Sequence, residues 1–459
     1  MSLQHTLFAR NALLPGGWHS DVRIAWHADG VLAALTPGSV AQAGEPQAGY
    51  VIPGMVNLHS HAFQRALGGL TETAGEGPDS FWTWRDLMYR FARGITPGHI
   101  EAIAAQLFSE CLRHGYTAVC EFHYVQRDPG GDMYARPAET AERVVAAAQQ
   151  AGIGLTMLPV LYSYAGFGEQ PLRAEQQRFR TGVDDVLRIA EALAPLRSGQ
   201  MEVGAAPHSL RAAAIGQVRE LMAGLPAGRP LHIHIAEQQA EVDQCLAFTG
   251  QRPVRYLMEQ IAPDARWCLV HATHLDAGET AALAASGAVA GLCPTTEANL
   301  GDGIFDLPAW RAAGGVWGVG SDSHICVNAA EELLMLEYSQ RLATRQRNVA
   351  ADASQPNVAS AMTLAAVQGG AQASGRAVGG LVVGQQADFT VLDAAHPALA
   401  GLDAPDMLSS HVFASHRTSA IDAVWVAGQP RVQGGRHLLY DSASAGFVAA
   451  RRQLLQDSP

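Results

Sequence analysis

From Val51 onward, short apolar runs rich in β-formers alternate with longer helix-like stretches, and eight such runs occur before the pattern stops. They are VIPGMVNLHSH from Val51, YTAVCEFHY from Tyr116, GIGLTMLPVLYS from Gly152, MEVGAAPHS from Met201, PLHIHIAE from Pro230, WCLVHATH from Trp267, AVAGLCPTT from Ala288 and VWGVGSDSH from Val316. Strands alternating with helices imply parallel strands joined by crossovers. Eight of them close a (β/α)8 barrel. The intervening ETAERVVAAAQQAG and AAAIGQVRELMAG read as helices, each ending near a glycine suited to a C-cap.

The two ends of the chain lack that alternation. Short strands and turns recur in DVRIAWHADGVLAAL, QQADFTVLD and IDAVWVAGQPRV, and Ala445–Gln456 reads as a closing helix. Residues 1–50 and 378–459 are expected to form one composite β-sandwich domain beside a barrel spanning 51–377. At 459 residues the chain is too long for one ordinary compact domain but suits a large barrel with a small satellite.

A net charge of -12 and a pI near 5.8 argue against nucleic acid or an anionic membrane surface as a partner. No apolar run reaches the ~18 residues of a membrane span. The start, MSLQHTLFAR, has no basic segment followed by an apolar one, so the cytoplasm is the expected compartment. Six scattered cysteines without a CxxC pair read as reduced thiols.

In a barrel of this type the active site lies at the C-terminal strand ends, so the polar residues there carry the chemistry. The first strand ends in His59-Ser60-His61, the fourth in His208, the fifth in His232-Ile233-His234-Ile235-Ala236-Glu237, the sixth in His271 and the eighth in Ser321-Asp322-Ser323-His324. Alternation puts His59 and His61 on one face, where both can bind one ion. His234 adds a third imidazole and Asp322 a carboxylate, a set that suits Zn(II) first and also accepts Fe(II) or Mn(II). His232, earlier in the same strand, reads as structural. Ser323 and His324 are left without a role, and Glu331 and Glu332 read as solvated helix residues.

The segments VIPGMVNLHSHAFQ, HIHIAEQ, VHATHL and GSDSH resemble the successive metal and catalytic motifs of the amidohydrolase superfamily, in its mononuclear deaminase branch. GGLVVGQQADFTVLD and VWVAGQPRV resemble its C-terminal β-sandwich, so the likeness spans nearly the whole chain. The fourth strand, MEVGAAPHS, has no lysine to bridge two metals, so one ion is expected. The resemblance implies Glu237 as proton shuttle, His271 as a group that polarises the substrate or helps deprotonate water, and Asp322 as a ligand that also takes a proton. Metal-activated water would then attack a C=N carbon and release ammonia. A homodimer is a further family expectation.

Two arginines narrow the substrate. PHSLRA sets His208 and Arg211 beyond the fourth strand, and FWTWRDLMYR sets Arg85 after the first. Both loops open onto the active-site face, where guanidinium groups suit bidentate capture of carboxylates. With Gln64 and Tyr124 nearby, the pocket fits an amidine bearing two carboxylates, such as N-formimino-L-glutamate. MVNLHSHAFQRALGGLTE, FWTWRDLMYRFA and PHSLRA are similar to the superfamily branch that deiminates this compound in bacterial histidine breakdown. Two rivals are a purine or other aromatic-base aminohydrolase, with Phe81, Trp82 and Trp84 for stacking, and a metal-free scaffold serving as a binding protein.

Overall fold

In the computed structural model the described residues are 5–74, 79–415 and 418–457. The first four residues of MSLQHTLFAR lie outside them. The eight barrel strands are Met55–Ser60, Tyr116–His123, Gly154–Leu161, a fourth in two pieces (Met201–Val203 and Ala206–Pro207), Leu231–Ile235, Trp267–His271, Val289–Leu292 and Val316–Val319. They pair in parallel as two sheets, the first to fourth and the fifth to eighth.

Two seams close the ring. Ser60 bridges to Asp322, and Ala205 and Ser209 bridge to Leu231 and His234. At the first seam the Asp322 amide donates to the His59 carbonyl at 3.0 Å and the His61 amide to the Asp322 carbonyl at 3.3 Å. At the second, the His234 amide donates to the His208 carbonyl at 3.1 Å. Asn57 fastens the first seam sideways, its amide donating to Ser321 Oγ at 2.6 Å and its Oδ1 accepting from the Ser321 amide at 2.9 Å. The strands approach so closely here that a Cβ on Gly320 would lie 2.7 Å from the His59 amide nitrogen.

The terminal strands form a separate eight-stranded sheet. From one edge its order is Arg436–His437, Gln429–Gln433, Ile421–Val426, Phe389–Leu392, Gln47–Pro53, His5–Leu14, Gly17–Trp26 and Leu32–Thr36. The two chain ends meet where Phe389–Leu392 pairs with Gln47–Pro53. Trp26, Phe389 and Val51 sit in its own apolar cluster, apart from the large one that fills the barrel and its helices. Each large apolar side chain so buried contributes roughly 1.5–3 kcal/mol. All six cysteines are unpaired, and among the described residues no helix is long and apolar enough to cross a membrane.

Several boundaries differ from the sequence reading. The VIP of the first run belongs to the terminal sheet, and the barrel strand starts only at Met55. The fourth run is interrupted at Gly204, where a Cβ would meet the Pro230 carbonyl oxygen at 2.3 Å. Glu139–Ala151 ends on a left-handed Gly152 as expected, but Ile215–Gly224 does not, because Gly224 is itself helical. The closing helix runs Tyr440–Asp457, and a helix at Ala404–Phe413 was not foreseen in the C-terminal region. Glu332 is not solvated: it is buried, and its carboxylate accepts from the Thr295 amide at 2.9 Å and the Thr295 hydroxyl at 2.6 Å.

Candidate active site

The strand ends bring His59, His61, His234 and Asp322 together, with one donor atom of each within 4.8 Å of the others. His59 Nε2 lies 3.1 Å from His61 Nε2, 2.9 Å from His234 Nε2 and 3.4 Å from Asp322 Oδ1. His61 Nε2 is 3.2 Å from the same oxygen. His61 Nδ1 donates to the Phe122 carbonyl and His234 Nδ1 to the His208 carbonyl, both at 2.9 Å. Those bonds fix the tautomers, so both Nε2 atoms carry lone pairs directed at the centre. Burial, with His61 adding to it, pushes His59 down to about 3 and keeps its ring neutral. Several lone pairs and a carboxylate oxygen facing one another leave too few protons to share, and a cation resolves the conflict. The four residues therefore fit a divalent metal ion of the kind that takes nitrogen and oxygen ligands.

Backbone strain collects at the same place. Ala236 (φ 50°), His271 (67°), Ala272 (48°), Asp322 (44°) and His324 (60°) all adopt the left-handed region without being glycine. Each costs on the order of 1 kcal/mol and persists only where the surroundings enforce it. Of these five, His271 and Asp322 line the pocket described below.

Beside the cluster, His271 Nε2 lies 3.6 Å from Glu237 Oε1 and 3.9 Å from Asp322 Oδ2, while its Nδ1 meets Glu297 Oε1 at 3.2 Å. Burial opposes charge on His271, but the carboxylates of Glu237, Glu297 and Asp322 outweigh it and raise the ring's pKa. Burial also pushes the Glu237 carboxyl up to about 7. A carboxyl so poised can hold or release a proton near neutrality.

One pocket connects these groups. His61, His234, Glu237, His271 and Asp322 reach its floor, while His59 lies behind them. Gln64, Arg85, Tyr124, His208 and Arg211 form part of its wall, so every residue expected to contact substrate faces the same space. Gln64 Nε2 donates to the Tyr124 hydroxyl at 2.7 Å, and its buried Oε1 has no partner. Arg85 sits on the helix Phe81–Ala92, with its guanidinium 4.5 Å from the Trp82 ring centre and its nearest carboxylate, Asp86, at 4.0 Å. Arg211 reaches the same ring at 5.5 Å. The Nε of each arginine is buried without a hydrogen-bond partner. Phe81 and Trp84 also line the wall, but Trp82 lies against the two guanidinium groups rather than on the pocket surface.

Residues 50–431 match the family described as "Amidohydrolase family". The chain belongs to the amidohydrolase family. This amidohydrolase also matches "Formimidoylglutamate deiminase HutF, N-terminal domain" over residues 4–49. It is a homologue of the formimidoylglutamate deiminase of Pseudomonas aeruginosa, 50% identical over 450 residues that cover 98% of this chain and 99% of the relative. The crystal structure of an amidohydrolase from Brucella melitensis superposes with a TM-score of 0.94 at 43% identity, covering 98% of this chain and all of that one (100%). A zinc-bound adenosine deaminase from Xanthomonas campestris shares the fold, with a TM-score of 0.79 at 22% identity over 99% of this chain and 98% of its own.

His232 lies outside the pocket lining, its Nε2 donating to the Ala373 carbonyl at 2.8 Å. His324 is buried between Ser321 Oγ at 2.8 Å and Ser60 Oγ at 3.2 Å, and Ser323 pairs with Thr296. Neither lines the pocket. The sequence reading missed the carboxylates behind the site. Glu121 accepts from the Ser60 hydroxyl at 2.5 Å and the Ala62 amide at 2.7 Å, and so braces the HSH segment. Glu297 holds His271, and Asp302, raised to about 9 by burial and the neighbouring Glu237, accepts from Gln238. A glutamate amid the apolar residues of the second strand and one just past the seventh were visible signals.

Proposed function

We propose that this amidohydrolase hydrolyses N-formimino-L-glutamate to N-formyl-L-glutamate and ammonia, a step of histidine degradation. One observation carries the substrate reading: Arg85 and Arg211, each with a buried Nε that makes no hydrogen bond among the described residues, line the pocket whose floor holds the metal-competent cluster. Guanidinium groups in that state favour a ligand with carboxylates. An uncharged purine would leave both unanswered, which weighs against the aromatic-base reading. The activity named for the Pseudomonas relative supports the same substrate.

His59, His61, His234 and Asp322 would hold one divalent ion, zinc in this reading. Such an ion, when bound, acidifies water towards a pKa of ~7. Glu237 takes a proton from the attacking water and delivers it to the formimino nitrogen as the water oxygen bonds to the formimino carbon. His271, held by Glu297, faces the developing charge. Asp322 accepts the remaining hydroxyl proton and passes it to nitrogen, the carbon–nitrogen bond breaks, and ammonia leaves as the formyl C=O forms. Gln64, Tyr124 and His208 hold the substrate alongside the two arginines. Residues 51–377 form the catalytic unit in this reading and 1–50 with 378–459 the accessory domain of a cytoplasmic homodimer.

Ammonia release at neutral pH with zinc, from N-formimino-L-glutamate beside guanine, adenosine and an uncharged formamidine, tests the reading. Selective release from the dicarboxylate is expected. Preference for a purine would sink the assignment of the arginines while keeping the metal chemistry.

A further inference from the structure

Behind the two arginines, the pocket wall includes a pair of tyrosines that neither the sequence reading nor the mechanism above uses. Tyr89, from the arginine-bearing helix Phe81–Ala92, and Tyr162, just past the third barrel strand, are both buried and both line the pocket. Their hydroxyl oxygens lie 3.0 Å apart. Gln176 approaches both, with Nε2 at 2.8 Å from Tyr162 and 3.4 Å from Tyr89.

The direction of these bonds is determined. Gln176 Oε1 accepts from the Arg173 amide at 3.0 Å, so the other end of the side chain must be its NH2, and it donates to the phenols. Both hydroxyl groups are therefore acceptors from Gln176. Between them, one O–H donates to the other oxygen. Two phenolic protons share one internal acceptor, so among the described residues one proton has no partner. A buried donor without a partner is costly, and both tyrosines line the pocket that already carries Arg85, 5.4 Å from the Tyr89 ring centre, and Arg211.

We infer that the Tyr89–Tyr162 pair, held in its donating state by Gln176, supplies a neutral hydrogen-bond donor to a substrate carboxylate gripped by the arginines. The inference rests on the dicarboxylate reading of the pocket. Either tyrosine can present the free proton, so the pair is redundant. With Tyr89→Phe the Tyr162 proton loses its internal acceptor and turns to the pocket; with Tyr162→Phe the Tyr89 proton does the same.

The test measures glutarate affinity of the zinc-loaded protein by calorimetry, beside kcat and KM on N-formimino-L-glutamate. Each single variant should stay within about 3-fold of wild type. The double variant should lose on the order of 10- to 100-fold in glutarate affinity and gain as much in KM, with kcat nearly kept, since a hydrogen bond to a charged group has been removed. Gln176→Glu, which turns the donor into an acceptor for the phenolic protons, should weaken glutarate at least 10-fold with both tyrosines intact, and it serves if the double variant fails to fold. Full glutarate affinity in the double variant or in Gln176→Glu would overturn the inference. If wild type binds glutarate and the double variant does not, yet wild type releases no ammonia from N-formimino-L-glutamate, the substrate reading falls and the donor pair stands. If wild type turns the substrate over and the double variant binds glutarate unchanged, the donor pair alone falls.

Discussion

The metal-competent floor and the arginine-bearing wall enclose one pocket, yet the fold positions them by unlike means. The floor hangs on backbone: His59, His61, His234 and Asp322 take part in the hydrogen bonds that close the barrel, and Asp322 and His271 hold left-handed φ values. The wall hangs on side chains. Arg85, Tyr89, Tyr162 and Gln176 come from a helix, a strand end and a short turn, joined through bonds such as Gln176 to Tyr89 that span 87 positions. A floor set by backbone can be common to many reactions, while a wall set by loop side chains can change its substrate without disturbing the barrel.

The sharpest way to separate the two is Glu237→Gln. Removing the proposed proton carrier while sparing the four proposed ligands should lower kcat on the order of 10³-fold with metal content unchanged by elemental analysis. Equal loss of metal would mean that floor and chemistry cannot be separated. Arg211→Met attacks the wall: KM for N-formimino-L-glutamate should rise on the order of 10- to 100-fold, with kcat and zinc content close to wild type in steady-state assays. A collapse in kcat instead would blur the division. Glu121→Gln weakens the brace under HSH and should reduce zinc affinity on the order of 10-fold in chelator competition, leaving KM alone once zinc is saturating.

The smallest effect falls on Glu332, which touches neither surface. Burial pushes its carboxyl up to about 8 in the folded protein, above its ordinary value of 4.5, so the folded state binds its proton more tightly. Its contribution is complete below pH 4.5 and is lost as pH rises through 8. Glu332→Gln should leave the melting temperature at pH 6 within a few degrees of wild type and flatten its decline between pH 6 and 9. An unaltered slope would place the titration elsewhere.

This division also decides what could be read from the sequence. The floor was legible because its residues sit at fixed offsets in strands whose period of two is imposed by backbone geometry, as in His59-Ser60-His61 and His234. Arg85 and Arg211 were legible as cations in loops of known polarity. Tyr89, Tyr162 and Gln176 were not, because each alone resembles a core or surface residue and only folding counts their protons together. Glu332 was misread for a related reason: a carboxylate in a helix looks solvated until the Thr295 backbone is folded against it. The split of VIPGMVNLHSH at Gly54 escaped because apolar runs either side of a glycine carry the same pattern whichever sheet they join.

The ring is closed at the same residues whose side chains would face the ion. In the metal-free protein, opposed lone pairs and a carboxylate would push against the joint between the first and last strands. The barrel should then behave as a cylinder with a weakened latch. Its earliest amide exchange and proteolytic nicking should appear near His61 and Asp322 rather than at the termini. Ion supply would thereby set the protein's lifetime as well as its turnover.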